Sequence, residues 1–193
     1  MTTLINASTS SGIVVTSDNS GVIALQSNGT TKATLGPTGF SYPGAILQVV
    51  DSGPMTTAVS NTTTTFTDGN CTATITPTSA TSKILVMVTQ EIQVWNSAPY
   101  ATGRWKLLRN IAAGSFTDIY VDYSTSNGNI FAYDYGASGI NVYRPTSYTM
   151  TDSPATTSAV VYKTQVAKGS NGGTMIGANQ NSPGRMILME IAQ

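Results

Sequence analysis

The stretch KILVMVTQEIQVW (83–95) decides the fold, because its apolar residues alternate with a period of two and therefore predict a β-strand. Leu85 and Met87 make the start of the second face apolar as well, and strands of this kind are covered on both faces. A two-sheet sandwich covers one face only, so the second cover is either a neighbouring subunit or more protein within a larger monomer fold. The first face consists of alternate residues, all apolar except one: Ile84, Val86, Val88, Gln90, Ile92 and Val94.

The rest of the chain beyond residue 44 is a series of strand candidates separated by turn signals, with almost no helical pattern. Ser126–Asn129 and Gly169–Gly173 are predicted hairpin turns. This spacing predicts an all-β, antiparallel β-sandwich of jelly-roll type. The further strand candidates are Ala45–Asp51, Thr62–Phe66, Cys71–Pro77, Gly103–Arg109, Phe116–Tyr123, Asn129–Tyr135, Ile140–Met150, Ser158–Lys168 and Arg185–Ile191.

The first forty residues differ, because they repeat a short apolar unit. SGIVVTSDN (11–19) is followed by SGVIALQSN (20–28), and GTTKATLGPTG (29–39) is a looser third copy. Such a unit cannot bury its apolar residues alone. Three chains that wind this segment together would supply the missing partners; the alternative is a β-hairpin docked on the main domain. The hinge GPTGFSYPG (36–44) divides residues 1–42, an attachment or shaft segment, from the sandwich at 43–193.

Charge is scarce in this protein. Charged residues make up 9% of the chain, against roughly 25% in ordinary domains. Nine basic and nine acidic residues give a net charge of zero, which argues against nucleic acid or an anionic membrane as partner. A neutral, charge-poor surface favours burial between subunits, so we expect an oligomer.

The N-terminus and the single cysteine bear on where the chain assembles. MTTLINASTSSG (1–12) lacks the basic and apolar regions of a signal peptide. No apolar run approaches the roughly 20 residues of a membrane span. Cys71 forms no intrachain disulfide and fits assembly in a reducing cytoplasm.

Most catalytic chemistry is excluded by residue type. The chain has no histidine, which removes the commonest general base and metal ligand. Cys71 alternates with Ala73 and Ile75, so we interpret it as a small buried hydrophobe. We therefore predict no catalytic, cofactor-binding or metal-binding residue, and no enzyme activity.

A pair of carboxylates is the remaining way in which such a chain could catalyse a reaction, as in a glycan hydrolase. Asp118 and Asp122 share a strand face, but their backbones lie about 13 Å apart; Asp134 comes closer across the predicted hairpin. The alternative is that these acids are solvated or pair with a basic residue from the set Arg104, Lys106 and Arg109. For Glu190, within an apolar strand, we predict a structural hydrogen bond.

Binding is more credible than catalysis, because aromatic residues concentrate in the middle of the domain. Aromatic rings stack on sugars and anchor protein interfaces, although alternation on strands places most of them in the core. Tyr100 and Tyr135 border loop sequence and are the predicted receptor contacts. The other members of the group are Trp95, Trp105, Tyr120, Tyr123, Tyr133, Tyr143 and Tyr148.

Several segments resemble phage and prophage tail-fibre-like proteins. The N-terminal part is similar over SGIVVTSDNSGVIALQSNGTTKATL (11–35). The specific part of the resemblance is DSPATTSAVVYK (152–163) with the terminus MEIAQ (189–193). Further similar segments are GAILQVVDS (44–52), FTDGNCTATITPTSATSKILVMV (66–88), YTMTDSPATTSAVVYKTQV (148–166) and MILMEIAQ (186–193).

The resemblance implies a virion component assembled in a bacterial host, homotrimeric, with no catalytic residues to carry over. It also implies attachment to other virion proteins through the N-terminal segment and contact with a host-surface glycan or protein through the variable middle. Two alternatives remain at this point: a capsid decoration or head-fibre protein, and, more remotely, a carbohydrate-active enzyme.

Overall fold

A computed structural model describes residues 21–37, 39–97, 100–121, 130–133, 139–169, 174–177 and 183–193. The regular elements among them are β-strands joined by turns, with no helix. The chain divides into two compact units, Met1–Ala45 and Ile46–Gln193. The sequence placed this boundary three residues earlier, after residue 42.

The described part of the first unit is a three-stranded antiparallel sheet with the strand order β1-β2-β3. β1 is Ile23–Ser27, β2 is Thr30–Gly36 and β3 is Gly39–Ser41. Asn28 and Gly29 join the first two strands with φ values of 51° and 72°. Positive φ at both central residues is what a two-residue type I′ hairpin requires, which explains the Asn-Gly pair.

One face of this small sheet is apolar and exposed; we call it the unit-1 apolar face. Exposure of its large side chains runs from 41% for Ile23 to 54% for Phe40. A single layer of three short strands has no interior in which to bury them. The strand register brings five side chains onto this face: Ile23, Leu25, Ala33, Leu35 and Phe40.

The described part of the second unit contains two antiparallel sheets. One sheet, called the β7 sheet after its longest strand, consists of β4 (Ile46–Asp51), β5 (Val59–Asn61), β7 (Lys83–Asn96), β11 (Ile140–Asp152), β13 (Thr174–Gly177) and β14 (Arg185–Ile191). The other, the β12 sheet, consists of β6 (Thr67–Ile75), β8 (Tyr100–Ile111), β9 (Thr117–Val121), β10 (Ile130–Tyr133) and β12 (Val160–Lys168).

Two long strands organise these sheets by pairing along both edges. β7 pairs with β11 on one edge, and with β14 followed by β13 on the other; β4 and β5 lie outside those two. β8 pairs with β12 on one edge, and with β9 followed by β10 on the other, while β6 lies outside β12. The two sheets pack as a sandwich, which confirms the predicted fold class.

The core lies between the sheets and uses the predicted face of β7. Cys71 is 1% exposed, which confirms its interpretation as a buried hydrophobe. Each fully buried aliphatic side chain contributes about 1.5–3 kcal/mol. The core cluster comprises Cys71, Ala73, Ile75, Ile84, Val86, Val88, Ile92, Val94, Trp105, Leu107, Val160, Tyr162, Val166, Met186 and Leu188.

Gln90 is the polar residue on the core face of β7, and it is fully buried. Its Nε2 donates to the carbonyl oxygen of Gly69 on β6, and its Oε1 accepts from Trp105 Nε1 on β8 at 3.1 Å. This Gln90 bridge therefore joins the two sheets. Gly69 suits the site because a Cβ there would lie 2.7 Å from Thr164 Oγ1.

The predicted strand Thr62–Phe66 is wrong: β5 ends at Asn61, and a loop follows. The buried side chain of Asn61 holds that loop, accepting from Thr63 N at 2.8 Å and donating to Thr65 O at 2.7 Å. It also donates to Val166 O at 2.9 Å. Hydrogen bonds from an Asn side chain to nearby backbone compete with a strand ladder, so they override the strand propensity of threonine.

The described strands that flank the two predicted hairpin turns do not pair with each other. Ser126–Asn129 lies outside the described residues, but β9 and β10 on either side of it both run antiparallel to β8 along the same edge. They therefore run in one direction and do not form a hairpin. Gly169–Gly173 leads from β12 to β13, which belong to different sheets. Turn signals mark where strands end, whereas the next pairing partner depends on long-range packing.

We expect the substitution Gln90→Leu to lower the free energy of unfolding by about 2–4 kcal/mol. It removes the hydrogen bonds that Gln90 makes to two buried groups, the Trp105 indole N–H and the Gly69 carbonyl. Gln93→Leu is the matched control, because Gln93 lies on the outer face of the same strand, and its effect should stay within about 0.5 kcal/mol. Urea denaturation measures both; equal losses would contradict a stabilising Gln90 bridge.

Candidate functional site

The predicted receptor contacts are only partly covered by the described residues. The backbone of Tyr100 opens β8 and pairs with Tyr133, but its side chain lies outside the described part of the structure. Tyr135 lies outside it altogether. Their role stays a prediction.

Three other aromatic residues of the predicted group stack inside the sandwich. The Trp105 ring centroid is 5.9 Å from those of Tyr120 and Tyr148, which are 4.0 Å from each other. Trp105 is 2% exposed and the two tyrosines are half-buried. These rings serve the core, as alternation on strands predicts for most of the group.

Trp95 and Tyr143 face outward, with 48% and 46% of their surface exposed. They lie on neighbouring strands: Trp95 on β7 is opposite Asn141 on β11, and Tyr143 is opposite Gln93. Gln93 Nε2 donates to Asn141 Oδ1 at 2.6 Å, so an amide pair lies between the rings. We call these four residues the aromatic platform.

A second outward feature is a groove of about 380 Å³ on the same face of the β7 sheet. Met87 and Ile187 contribute its apolar atoms, and threonine and serine hydroxyls line it from neighbouring positions. Arg185 at one end pairs with Asp51 at 3.3 Å. The groove is lined by Met87, Thr89, Ser147, Thr149, Pro183, Arg185 and Ile187.

The groove belongs to the second apolar face that the sequence predicts for β7. Leu85 lies opposite Met189, and Met87 opposite Ile187, on the face of the sheet away from the core. These side chains are half-buried, while Val49 on β4 is 56% exposed. Among the described residues of this unit, the core face is covered by the β12 sheet, but the outer face stays open.

The acids that the sequence considered for catalysis have structural partners or lie outside the described residues. Asp118 pairs with Lys106 at 2.8 Å, one of the predicted basic partners. Asp122 and Asp134 lie outside the described part of the chain. Asp68 pairs with Lys163 at 2.7 Å; burial raises its pKa, but the hydrogen bonds from Lys163 and Gln165 outweigh this and lower it.

Asp152 ties the two sheets together at the end of β11. Arg109 Nη1 on β8 donates to its two carboxylate oxygens at 2.7 and 2.8 Å, and the Tyr162 hydroxyl on β12 donates to Oδ2 at 2.7 Å. Burial, together with the Asp152 carboxylate, raises the pKa of Tyr162 above its usual range. Both carboxylate oxygens of Asp152 are thus engaged by side chains of the other sheet.

Glu190 is fully buried and accepts several hydrogen bonds, as predicted. Gln48 Nε2 donates to Oε2 at 2.6 Å, while the backbone N–H and the hydroxyl of Thr78 donate to Oε1 at 2.8 and 2.9 Å. Burial alone would raise the pKa of Glu190, but these donors lower it below its ordinary value of 4.5. The carboxylate thereby fixes the loop before β7 to the last strand.

Other chemistry is sparse in the described part of the chain. Burial raises the pKa of the Cys71 thiol to about 12, so it is protonated and unreactive near neutral pH. Within the ranges that the structure describes, no three acidic, histidine or cysteine side chains group to hold a metal ion. Nor does any helix there have the length and apolar character to cross a membrane.

Comparison with known proteins gives matches among solved structures alone: no family model and no curated protein matches the sequence. The infectious bursal disease virus Gt strain structure matches 89% of this chain at 12% identity, with a TM-score of 0.36. The Gx strain structure matches 87% at 9% identity, with a TM-score of 0.33. The VP2 subviral particle of that virus matches 88% at 10% identity, with a TM-score of 0.31.

These matched chains come from viral particles. The present chain spans 48%, 42% and 43% of their lengths, less than half in each case. At such identities and TM-scores the likeness carries no argument about function.

We expect Glu190→Gln to lower the free energy of unfolding by about 1–3 kcal/mol at pH 7, because an amide cannot accept from all the donors that Glu190 serves. Since the folded-state pKa lies below 4.5, the carboxylate stabilises the fold above that pH. The contribution is lost as the pH falls through the folded-state pKa, so the difference between wild type and variant should shrink in acid.

Denaturation across a pH series measures this difference. Glu91→Gln is the matched control, because Glu91 is only half-buried and lies on the opposite, outer face of the β7 sheet. A wild type whose advantage over Glu190→Gln persists unchanged in acid would contradict the assigned role of the Glu190 carboxylate.

Proposed function

We propose that this chain is a non-enzymatic structural protein of a bacteriophage particle, a trimeric fibre or fibre tip that binds a host surface or another virion protein. In this proposal the first unit supplies attachment to the particle and contacts between subunits. The second unit presents the binding surfaces.

The unit-1 apolar face is the observation that carries the proposal. Ile23, Leu25, Leu35 and Phe40 are 41–54% exposed on a sheet too small to have an interior. Lys32 is the one charged residue in the described part of this unit, so a partner of this face needs no complementary charged surface. Copies of the same face, brought together around a three-fold axis, bury these side chains against one another.

The second unit supports assembly in a similar way. The outer face of the β7 sheet carries Leu85, Met87, Ile187 and Met189 in neighbouring positions. The chain as a whole has 9% charged residues and zero net charge. A protein with few charges and open apolar faces stays soluble when part of its surface is covered by other subunits.

The residues on which the resemblance to tail-fibre-like proteins rests also have a structural role in this fold. Within DSPATTSAVVYK (152–163), Asp152 and Tyr162 bond to each other and thus bring β11 and β12 together. Within MEIAQ (189–193), Glu190 anchors the loop at Thr78. These positions hold the sandwich together, so the matched segments are the polar anchors of the fold.

The non-enzymatic assignment rests on how the described carboxylates are used. Apart from Glu91, a single acid on the outer face of β7, the described carboxylates are engaged: Asp51, Asp68, Asp118 and Asp152 each pair with a basic side chain, and Glu190 is saturated with donors. A hydrolase needs two carboxyl groups facing one substrate. Among the described residues these acids instead face cations and amides of their own fold.

We expect the purified chain to be a trimer, with a mass near three times 20.1 kDa by light scattering after size exclusion. Leu25→Asp should dissociate it, because it places a charge in the unit-1 apolar face. Ala24→Asp is the matched control, since it adds the same charge at the adjacent residue on the opposite face of β1. A monomeric wild type, or equal dissociation of both variants, would contradict the proposal.

Copy number separates a fibre from a capsid decoration protein. Quantitative mass spectrometry of purified particles should find tens of copies or fewer for a fibre. Hundreds of copies per particle would contradict the fibre assignment in favour of decoration.

A further inference from the structure

We propose that the aromatic platform, formed by Trp95, Tyr143, Gln93 and Asn141, is a binding site for a neutral hexose glycan. The inference rests on the proposed function, because it identifies the class of host-surface ligand and the residues that take it.

Exposure distinguishes the platform from the other aromatic residues of the sandwich. Trp95 is 48% exposed, whereas Trp105, the other tryptophan of the chain, is 2% exposed. A large ring left in water gives up stabilisation that burial would supply. Here two such rings, Trp95 and Tyr143, lie on one face of one strand pair, and a ligand that stacks on them recovers that stabilisation.

The strands hold the two rings in fixed positions. β7 and β11 pair without a register shift from Ile84 to Asn96. Trp95 and Tyr143 are diagonal neighbours in this ladder, which sets the two residues about 7–8 Å apart, with their Cβ atoms somewhat closer. A ligand with successive flat, apolar faces meets one ring with each, and a sugar chain has this form because pyranose rings expose C–H groups on their faces.

The amides between the rings supply hydrogen bonds of both kinds. The 2.6 Å bond from Gln93 Nε2 to Asn141 Oδ1 orients the pair. It leaves Gln93 Oε1 as an acceptor and Asn141 Nδ2 as a donor. A sugar hydroxyl both donates and accepts, so neighbouring hydroxyls of one hexose can satisfy the two atoms together.

Charge defines the class of ligand. None of the four residues is charged, and the nearest charged residue on this face of β7 is the acid Glu91, opposite Pro145. Phosphate, sulfate and nucleic acid need cations, which the platform does not offer. Neutral hexoses remain as ligands that combine apolar faces with hydroxyl edges.

The same amides argue against a second copy of this chain as the occupant. Dry subunit contact would bury Gln93 Oε1 and Asn141 Nδ2 without partners, which costs free energy. The apolar side chains of Leu85 and Met87 on β7 and of Ile187 on β14 lie farther along the β7 sheet and lack such groups. Subunit contact therefore suits that part of the face, whereas the platform suits a hydroxyl-rich ligand.

Affinity electrophoresis tests the proposal on the full-length protein, in native gels that contain dextran, mannan or galactan. The wild type should be retarded by at least one of these neutral polysaccharides. Retardation by none of the three would overturn the proposal. Tryptophan fluorescence gives a second readout, because only Trp95 is accessible: its emission should shift with the same polysaccharide.

Trp95→Ala and Tyr143→Ala should each weaken retardation at least ~10-fold, the loss expected for an aromatic anchor. Phe116→Ala is the matched control, since Phe116 is a partly exposed ring directly before β9, next to Lys163 of the β12 sheet, and it should leave retardation unchanged. Wild-type binding by the two platform variants would overturn the proposal. Thermal melting of each variant verifies that the fold is retained.

Light scattering on the same samples separates this proposal from the proposed function. A trimeric Trp95→Ala protein that no longer binds supports the glycan site. A Trp95→Ala protein of altered mass shows that the platform is a subunit contact and overturns it. A monomeric wild type that still binds polysaccharide contradicts the trimeric fibre and leaves the glycan site standing.

Discussion

The buried amide of Gln90 is the constraint on which the sandwich depends. It lies in the middle of an otherwise apolar face and bonds to two strands of the opposite sheet, through Gly69 and Trp105. The ladder between β6 and β12 shifts register at Gly69, with Asn70 at a φ of 59°, so the Gly69 carbonyl turns from the ladder toward Gln90. One polar side chain thus links β7 to the two strands on either side of β12, β6 and β8, and favours the alignment of the sheets in which both bonds form.

With the core fixed in this way, the outer faces of the two sheets have different chemistry. The β12 sheet turns ion pairs outward, Lys106 with Asp118 and Lys163 with Asp68, and a lysine lies over the Phe116 ring. Such a face is satisfied by its own contacts and by water. The outer face of the β7 sheet instead carries a groove lined in part by Met87 and, at its other end, the aromatic platform. The sandwich therefore has one polar, solvated outer face and one largely apolar outer face that is suited to binding another molecule.

Alternation along strands predicted the core well, because burial on one face is a local property of the sequence: every buried position on β7, Gln90 included, follows from it. Local patterns failed where distant contacts decide. Asn61 holds a threonine-rich loop in place partly through its bond to the backbone of Val166. β10 and β13 pair with strands that are not their neighbours in sequence, which depends on long-range packing. Alternation also predicts that Trp95 is exposed, because it lies on the face of β7 opposite the core residues. Loop position drew the prediction to Tyr100 and Tyr135 instead.

The succession of β9 and β10 along one edge of β8 has a consequence for how this protein can vary. Both strands are held by the same partner, β8: β9 ends at Val121, and β10 begins at Ile130 farther along the same edge. The pairing of each strand with β8 does not require a connection of fixed length between them. Loop closure costs little more as a loop grows. The edge of β8 is thus a position at which peptide can be exchanged or inserted between two strands, during evolution or by engineering, while both strand pairings are kept.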